Sequence, residues 1–153
     1  MINSLKNNDT ITINIFGKEK SVKVFSTGDN QFDENGNYKK DDFELSSKEI
    51  EVLNWFVENI NIDDYKKEII DYCNEVYSNW EDIDAPVNMD NLESEININA
   101  IAINVTENWK SKDGFVYPEI SFIGDCKCDE EQGICIGFRD KEFLGINSQD
   151  WTF

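Results

Sequence analysis

The four cysteines offer the most chemistry in this 153-residue chain. Cys126 and Cys128 are two apart, Cys135 follows beyond a predicted turn, and Cys73 lies far upstream. Four thiols are the number for a structural zinc ion. A C-x-C spacing, however, sets two of them on one side of a strand, whereas zinc turns use two to four intervening residues. Two-thiol redox catalysis wants C-x-x-C at a helix start, and no such motif occurs. The expectation is therefore free cysteines packing as small, half-buried hydrophobes, with a Cys128–Cys135 disulfide as the oxidised alternative.

Oxygen ligands come next. Gln31 to Tyr38 (QFDENGNY) echoes an EF-hand loop, with Asp33 and Asn35 two apart before Gly36. Position one would be Gln31 and position twelve Asp42, where Asp and Glu are wanted, and no helix clearly precedes the loop. A solvated turn is the expected reading. The adjacent carboxylates Asp41-Asp42 and Glu130-Glu131 can be posed as acid–base pairs, but no nucleophile accompanies either. No phosphate-cradling glycine loop, nucleophile elbow or dinucleotide fingerprint is present.

Charge and composition narrow the classes further. The chain has 32 acidic and 14 basic residues, a formal charge of -18, and no histidine. Ser-His and Cys-His nucleophiles and histidine-based metal sites are thereby excluded. A surface this acidic disfavours nucleic acid and anionic membranes, and it suits a cationic protein partner or plain solubility. The 10 Phe, 5 Tyr and 4 Trp are too many for a disordered acidic tail. The first sixteen residues carry one lysine and no long apolar stretch, unlike a signal peptide. Nothing approaches the ~18 apolar residues of a membrane span. The chain starts at Met1 and its cysteines lack a disulfide framework, so the expected location is a reducing bacterial cytoplasm.

The elements that must position these groups follow from periodicity. Thr10–Phe16 alternates Ile11, Ile13 and Ile15 with polar residues, Gly17-Lys18 turns the chain, and Ser21–Phe25 completes a predicted hairpin. Residues 27–42 read as an exposed loop or a pair of turns. Ser46 and Glu49 have the spacing of a capping box, and Ile50, Leu53, Phe56 or Val57, and Ile60 follow at helical spacing. Asp63 or Asp64 caps a second helix with Ile69, Cys73, Val76, Tyr77 and Trp80 on one stripe. One helical turn is expected within Asn88–Glu95. Ile96–Val105 is a strand whose apolar phase flips near Ala100, through a bulge or through burial on both faces. Phe115–Gly124, Gly133–Phe138 and Glu142–Ile146 form a predicted antiparallel meander, with turns at Asp129–Gln132 and at Asp140-Lys141. A single domain over residues 1–153 is expected.

Trp55, Trp80, Trp109 and Trp151 are mostly core or rim candidates. Trp109, among polar neighbours, and Trp151, near the C-terminus, are candidates for exposed interface anchors.

The stretch Pro118–Phe122, Asp129–Phe138, Gly145-Ile146 and Gln149-Asp150 resembles a group of small bacterial domains of unknown function. In that group a strand ending in tryptophan leads to an acidic E-H-G turn, an alternating strand and a closing V-G-x-x-D. Ser46–Glu49 leading into Trp55-Phe56, and the Tyr72–Trp80 helix, resemble its central helical pair. Two departures stand out: Gln132 where the group has histidine, and Cys128 where it has tryptophan. The resemblance implies an α+β domain without established enzyme activity. Similar acidic domains sit beside toxin genes and are regarded as candidate immunity proteins.

The combined expectation is an α+β fold: an antiparallel sheet, made of the N-terminal hairpin, the Ile96–Val105 strand and the C-terminal meander, packed on two central helices. The expected function is that of a non-catalytic acidic binding protein without cofactor or metal, a candidate immunity protein facing a basic toxin domain. A stand-alone stress or regulatory domain is the alternative, and a calcium-binding or hydrolytic protein the remaining one. Candidate contact residues are Asp33, Glu34, Asp41 and Asp42 in the first loop, Glu81 and Asp82 after the second helix, Asp129, Glu130, Glu131 and Gln132 at the late turn, and Trp109 and Trp151.

Overall fold

The computed structural model describes residues 1–79, 86–106 and 116–152. Trp80, Glu81, Asp82, Trp109, Gly114 and Phe115 lie outside them. Six strands form one sheet in sequence order: β1 (Thr10–Ile15), β2 (Lys18–Ser26), β3 (Ile96–Ile103), β4 (Ile120–Cys126), β5 (Asp129–Arg139) and β6 (Glu142–Asn147). Between β2 and β3 the chain makes α1 (Ser47–Asn59), α2 (Lys66–Tyr77) and the single turn α3 (Leu92–Glu95). The α+β class is the expected one.

One pairing differs from expectation. The sheet is mixed, because Lys23–Ser26 of β2 runs parallel to Ala100–Ile103 of β3, while the other four pairings are antiparallel. A parallel neighbour requires the chain to return to the starting end of the sheet, and the helical segment makes that return.

Local chemistry accounts for the elements. The β1–β2 hairpin closes through Phe16 (φ 51) and Gly17 (φ 80), so its turn lies one residue earlier than Gly17-Lys18. Two positive φ angles match the right-handed twist of the flanking strands. The Phe16 ring is buried, with the Lys66 ammonium 5.5 Å from its centroid. At the start of α1 the Ser46 hydroxyl accepts from the Glu49 amide at 3.1 Å, and Glu49 Oε1 accepts from the Ser46 amide at 2.9 Å. That is the reciprocal cap the spacing predicts. The second helix is entered through a 3-10 turn, Ile62–Tyr65, capped by Asn61 rather than by Asp63 or Asp64. The phase flip of β3 has both proposed causes. Its register shifts between Ile98 and Ala100, and all four residues from Ala100 to Ile103 are buried.

The late turn is a second correction. Asp129–Gln132 is the start of β5, where Asp129 pairs with Cys126 before the register shifts to Ile134, and the turn itself is Lys127-Cys128. The acidic side chains look like turn residues because Glu130, Glu131 and Gln132 are all exposed where the ladder begins. The preceding strand begins at Ile120, five residues after the expected Phe115.

The main core lies between the sheet and the helices. Leu53, Phe56, Ile69, Ile98, Ile101, Ile134, Ile136 and Phe138 are almost wholly shielded from solvent. The Phe56 ring meets those of Phe122 and Phe138, with centroids 4.6 and 5.4 Å apart. The opposite face carries a smaller cluster of Ala100, Ala102, Ile123 and Cys135, with Phe25 and Trp151 packed against it. Truncating Phe56 to alanine leaves a cavity at the helix–sheet junction. We expect F56A to lower the unfolding free energy by about 3–5 kcal/mol, read as a reduced urea midpoint at unchanged m-value.

Candidate functional site

Three features can do something other than hold the fold together: an acidic loop bearing exposed aromatics, a thiol cluster, and a groove at one end of the sheet.

The loop follows β2. A 3-10 turn (Asp29–Gln31) leads into a tight reversal in which Phe32 bridges to Tyr38. Asp33 organises the reversal, because its Oδ1 accepts from the backbone amides of Asn35 at 2.8 Å and Asn37 at 3.0 Å. This is the local hydrogen bonding that Asp favours in turns. Among the described residues no group of three or more Cys, Asp or Glu side chains is placed to hold a metal ion.

The Phe32 and Tyr38 rings lie 4.7 Å apart, with Phe32 37% and Tyr38 75% exposed. Asp33, Glu34, Asp41 and Asp42, all exposed, surround them in sequence. The loop is tied down at its base. The Asn7 and Asn8 side-chain amides donate to the Asp41 carbonyl. Asn30 donates to buried Glu49 at 2.7 Å and accepts from the Lys39 ammonium at 2.9 Å. Sequence reasoning singled out the carboxylates and missed the ring pair. The available signal was two aromatics flanking a D-E-N-G-N turn, which a single antiparallel bridge brings together.

The second acidic region sits elsewhere. The loop after Ser26 lies at the end of the sheet where β3 finishes, with the Asp29 amide donating to the Val105 carbonyl. Asp129–Gln132 lies at the end where β3 begins, because Cys126 pairs with both Ile96 and Asp129. The eight residues of β3 separate the two ends by about 25 Å. Asp33, Glu34, Asp41 and Asp42 thus form one patch, and Glu130 and Glu131 another, with Asp129 half-buried.

Gln132, which stands where the resemblance expects histidine, is paired internally. In the orientation that satisfies both groups its amide donates to Asp150 Oδ2 and Oδ1 at 2.6 and 2.9 Å. Trp151 is half-buried rather than protruding. Its indole N–H donates to the Val116 carbonyl at 2.9 Å, and its ring lies over Gly137, where an added Cβ would come within 3.0 Å of it.

The cysteines divide between the two faces of the sheet. Cys135 belongs to the small cluster, away from the helices. Cys73 of α2, Cys126 at the end of β4 and Cys128 in the turn belong to the main core. Cys126 and Cys128 thus lie on one side of the sheet, as the spacing suggests, although Cys128 is in the turn and not on a strand; a Cys128–Cys135 bond would have to cross the sheet. All four are free and buried. The Cys126 and Cys128 sulfurs are 3.4 Å apart. That contact and burial push the Cys126 thiol well above its ordinary value. The same contact pulls Cys128 down, but nearby Cys73 and burial outweigh it and raise Cys128 to about 12. Burial raises Cys135 to about 12, opposed in part by the Ser121 hydroxyl. Tyr72 and Tyr77 beside the cluster are also raised, chiefly by burial; Tyr77 donates to Glu95 at 2.9 Å.

The groove, of about 620 Å³, lies between the β1–β2 turn, α3 and the β4–β5 turn. Phe16, Ile96, Ile98 and Cys126 form its apolar part. Lys18 and Glu93 meet across it at 3.5 Å, and Lys20 reaches Asn97.

The fold thus defines an α+β domain with a six-stranded mixed sheet covered by helices. The family described as a domain of unknown function, DUF6985, matches residues 2–153, and the chain belongs to that family. Neither a curated protein nor a solved structure matches it. No helix among the described residues is long and apolar enough to cross a membrane.

The raised thiols add a contribution to stability that depends on pH on the alkaline side. A thiol neutral in the fold but free to ionise when unfolded favours the folded state fully below about pH 9. That advantage fades as pH rises from there towards about 12. Urea midpoints are expected to be flat up to pH 8.5 and to fall above pH 9 (roughly, by the linkage relation), with a shallower fall in Cys135→Ala.

Proposed function

We propose that this chain is a non-catalytic binding protein whose partner is a cationic protein surface. The observation that carries the reading is the exposed Phe32–Tyr38 ring pair, held on a tied-down loop among four exposed carboxylates. Aromatic side chains at the centre of an interface supply affinity. Acidic neighbours speed encounter and attract arginine and lysine, which can then stack on the rings. The Asp33 turn and the Asn30–Glu49 bond fix the loop beforehand, so less order is lost on association.

The formal charge of -18 and the resemblance to toxin-linked acidic domains support a more specific form. In it the chain acts in the bacterial cytoplasm as an immunity protein, covering a basic toxin domain. Glu130 and Glu131, at the far end of the sheet, contribute to the field rather than to the contact.

The probe is the basic protein domain encoded by the gene next to its own. Its association rate is expected to fall at least about tenfold between roughly 20 and 500 mM salt. Tyr38→Ala should weaken the complex by about 2 kcal/mol, near thirtyfold, without altering the melting temperature. A salt-independent rate overturns the electrostatic part, and undiminished affinity in Y38A overturns the contact loop. A neighbouring gene without such a domain overturns the immunity assignment, leaving the acidity to serve solubility in a stand-alone regulatory or stress domain.

A further inference from the structure

The core beneath the β4–β5 turn holds three thiols where three small apolar side chains would pack as well. Cys126 and Cys128 flank Lys127, and their sulfurs stand 3.4 Å apart. Cys73 on α2 belongs to the same buried cluster. Cys135, on the other face of the sheet, takes no part. A disulfide needs the sulfurs about 2.0 Å apart, so the first pair must close by about 1.4 Å. That movement falls to a two-residue turn, Lys127-Cys128, in which Lys127 is exposed. A route in also exists, because Cys126 borders the groove of about 620 Å³ while being only 3% exposed itself.

We propose that Cys126 and Cys128 are a redox modification site, closing to a disulfide across the turn when a small hydroperoxide enters the groove. In the first step the Cys126 sulfur, having given up its proton, attacks the peroxide. The O–O bond breaks, Cys126 becomes a sulfenic acid, and the alkoxide leaves with that proton as an alcohol, or as water when the oxidant is hydrogen peroxide. In the second step the Cys128 sulfur attacks the sulfenic sulfur. The S–S bond forms, the S–O bond breaks, and hydroxide takes the Cys128 proton to leave as water. Two thiols lose two electrons in all, and one peroxide gains them. A dithiol reductant reverses the change by exchange.

The geometry also sets the pace. Both thiols are held neutral: Cys126 by its contact with Cys128 and by burial, and Cys128 by nearby Cys73 and burial, against the opposing pull of Cys126. The thiolate is the reacting form, so closure is slow at neutral pH and quickens as pH rises. The proposal is independent of any binding partner.

The folded full-length chain is treated with hydrogen peroxide, then unfolded and alkylated. Two of the four cysteines are expected to become resistant to alkylation, and to recover with dithiothreitol. Cleavage after Lys127 separates Cys126 from Cys128, so the two halves should stay joined only in the oxidised sample. Cys135→Ser and Cys73→Ser should keep the response, and its rate should climb between pH 7 and 9 (roughly, as the thiolate fraction grows). The wild-type map alone decides the matter if a variant fails to fold. Four alkylatable thiols after treatment, a Cys73–Cys128 link, or a link that includes Cys135 overturns the proposal.

Discussion

The parallel join between Lys23–Ser26 and Ala100–Ile103 is the constraint on which the rest of the molecule depends. On one side of it stands a local hairpin, on the other a four-stranded antiparallel run. Both are built from neighbours in sequence. Only this short parallel ladder makes them one sheet. Parallel rungs oblige the chain to leave β2 at one end and enter β3 at the other. Residues 27–95 make that passage, and their apolar side chains become the cover of the core: Leu45, Leu53, Phe56, Ile62, Ile69, Cys73 and Leu92. The acidic loop is the first part of the same passage, which is why it hangs at the far end of the sheet and can present its rings to solvent.

The passage is fastened by polar contacts where packing alone would leave it free. Glu49 is buried completely and serves two masters, capping α1 through Ser46 and holding Asn30 of the loop. At the other end Asn74 of α2 both donates to the Val87 carbonyl and accepts from the Val87 amide, at 2.9 Å each. Buried or half-buried side-chain amides of this kind satisfy irregular backbone that no ladder reaches. They set the helices in place on the aromatic cluster of Phe56, Phe122 and Phe138.

What could be read from the residues was local. Alternation marked the first hairpin and the last strands, the Ser46–Glu49 spacing marked α1, and the phase change in β3 marked a true bulge. The parallel join left no such trace, because the partners lie more than seventy residues apart and each strand reads the same whichever way its neighbour runs. The late turn was misplaced for a related reason. Glu130, Glu131 and Gln132 are polar because they face water from a strand, and Cys128 is apolar because its turn points inward. For the candidate site the carboxylates were legible as composition. Their division between two ends of the sheet, the Phe32–Tyr38 pair and the meeting of Cys73 with Cys126 and Cys128 all depend on tertiary placement.

That division of acid between the ends has an electrostatic meaning of its own. Negative charge at both poles of a body about 25 Å long gives a strong monopole and little directional preference between the poles. A cation is drawn in from every side and is not told where to land. The choice of landing place then belongs to shape and to apolar contact, so discrimination among basic proteins would reside in two rings on one loop, while attraction is a property of the whole molecule.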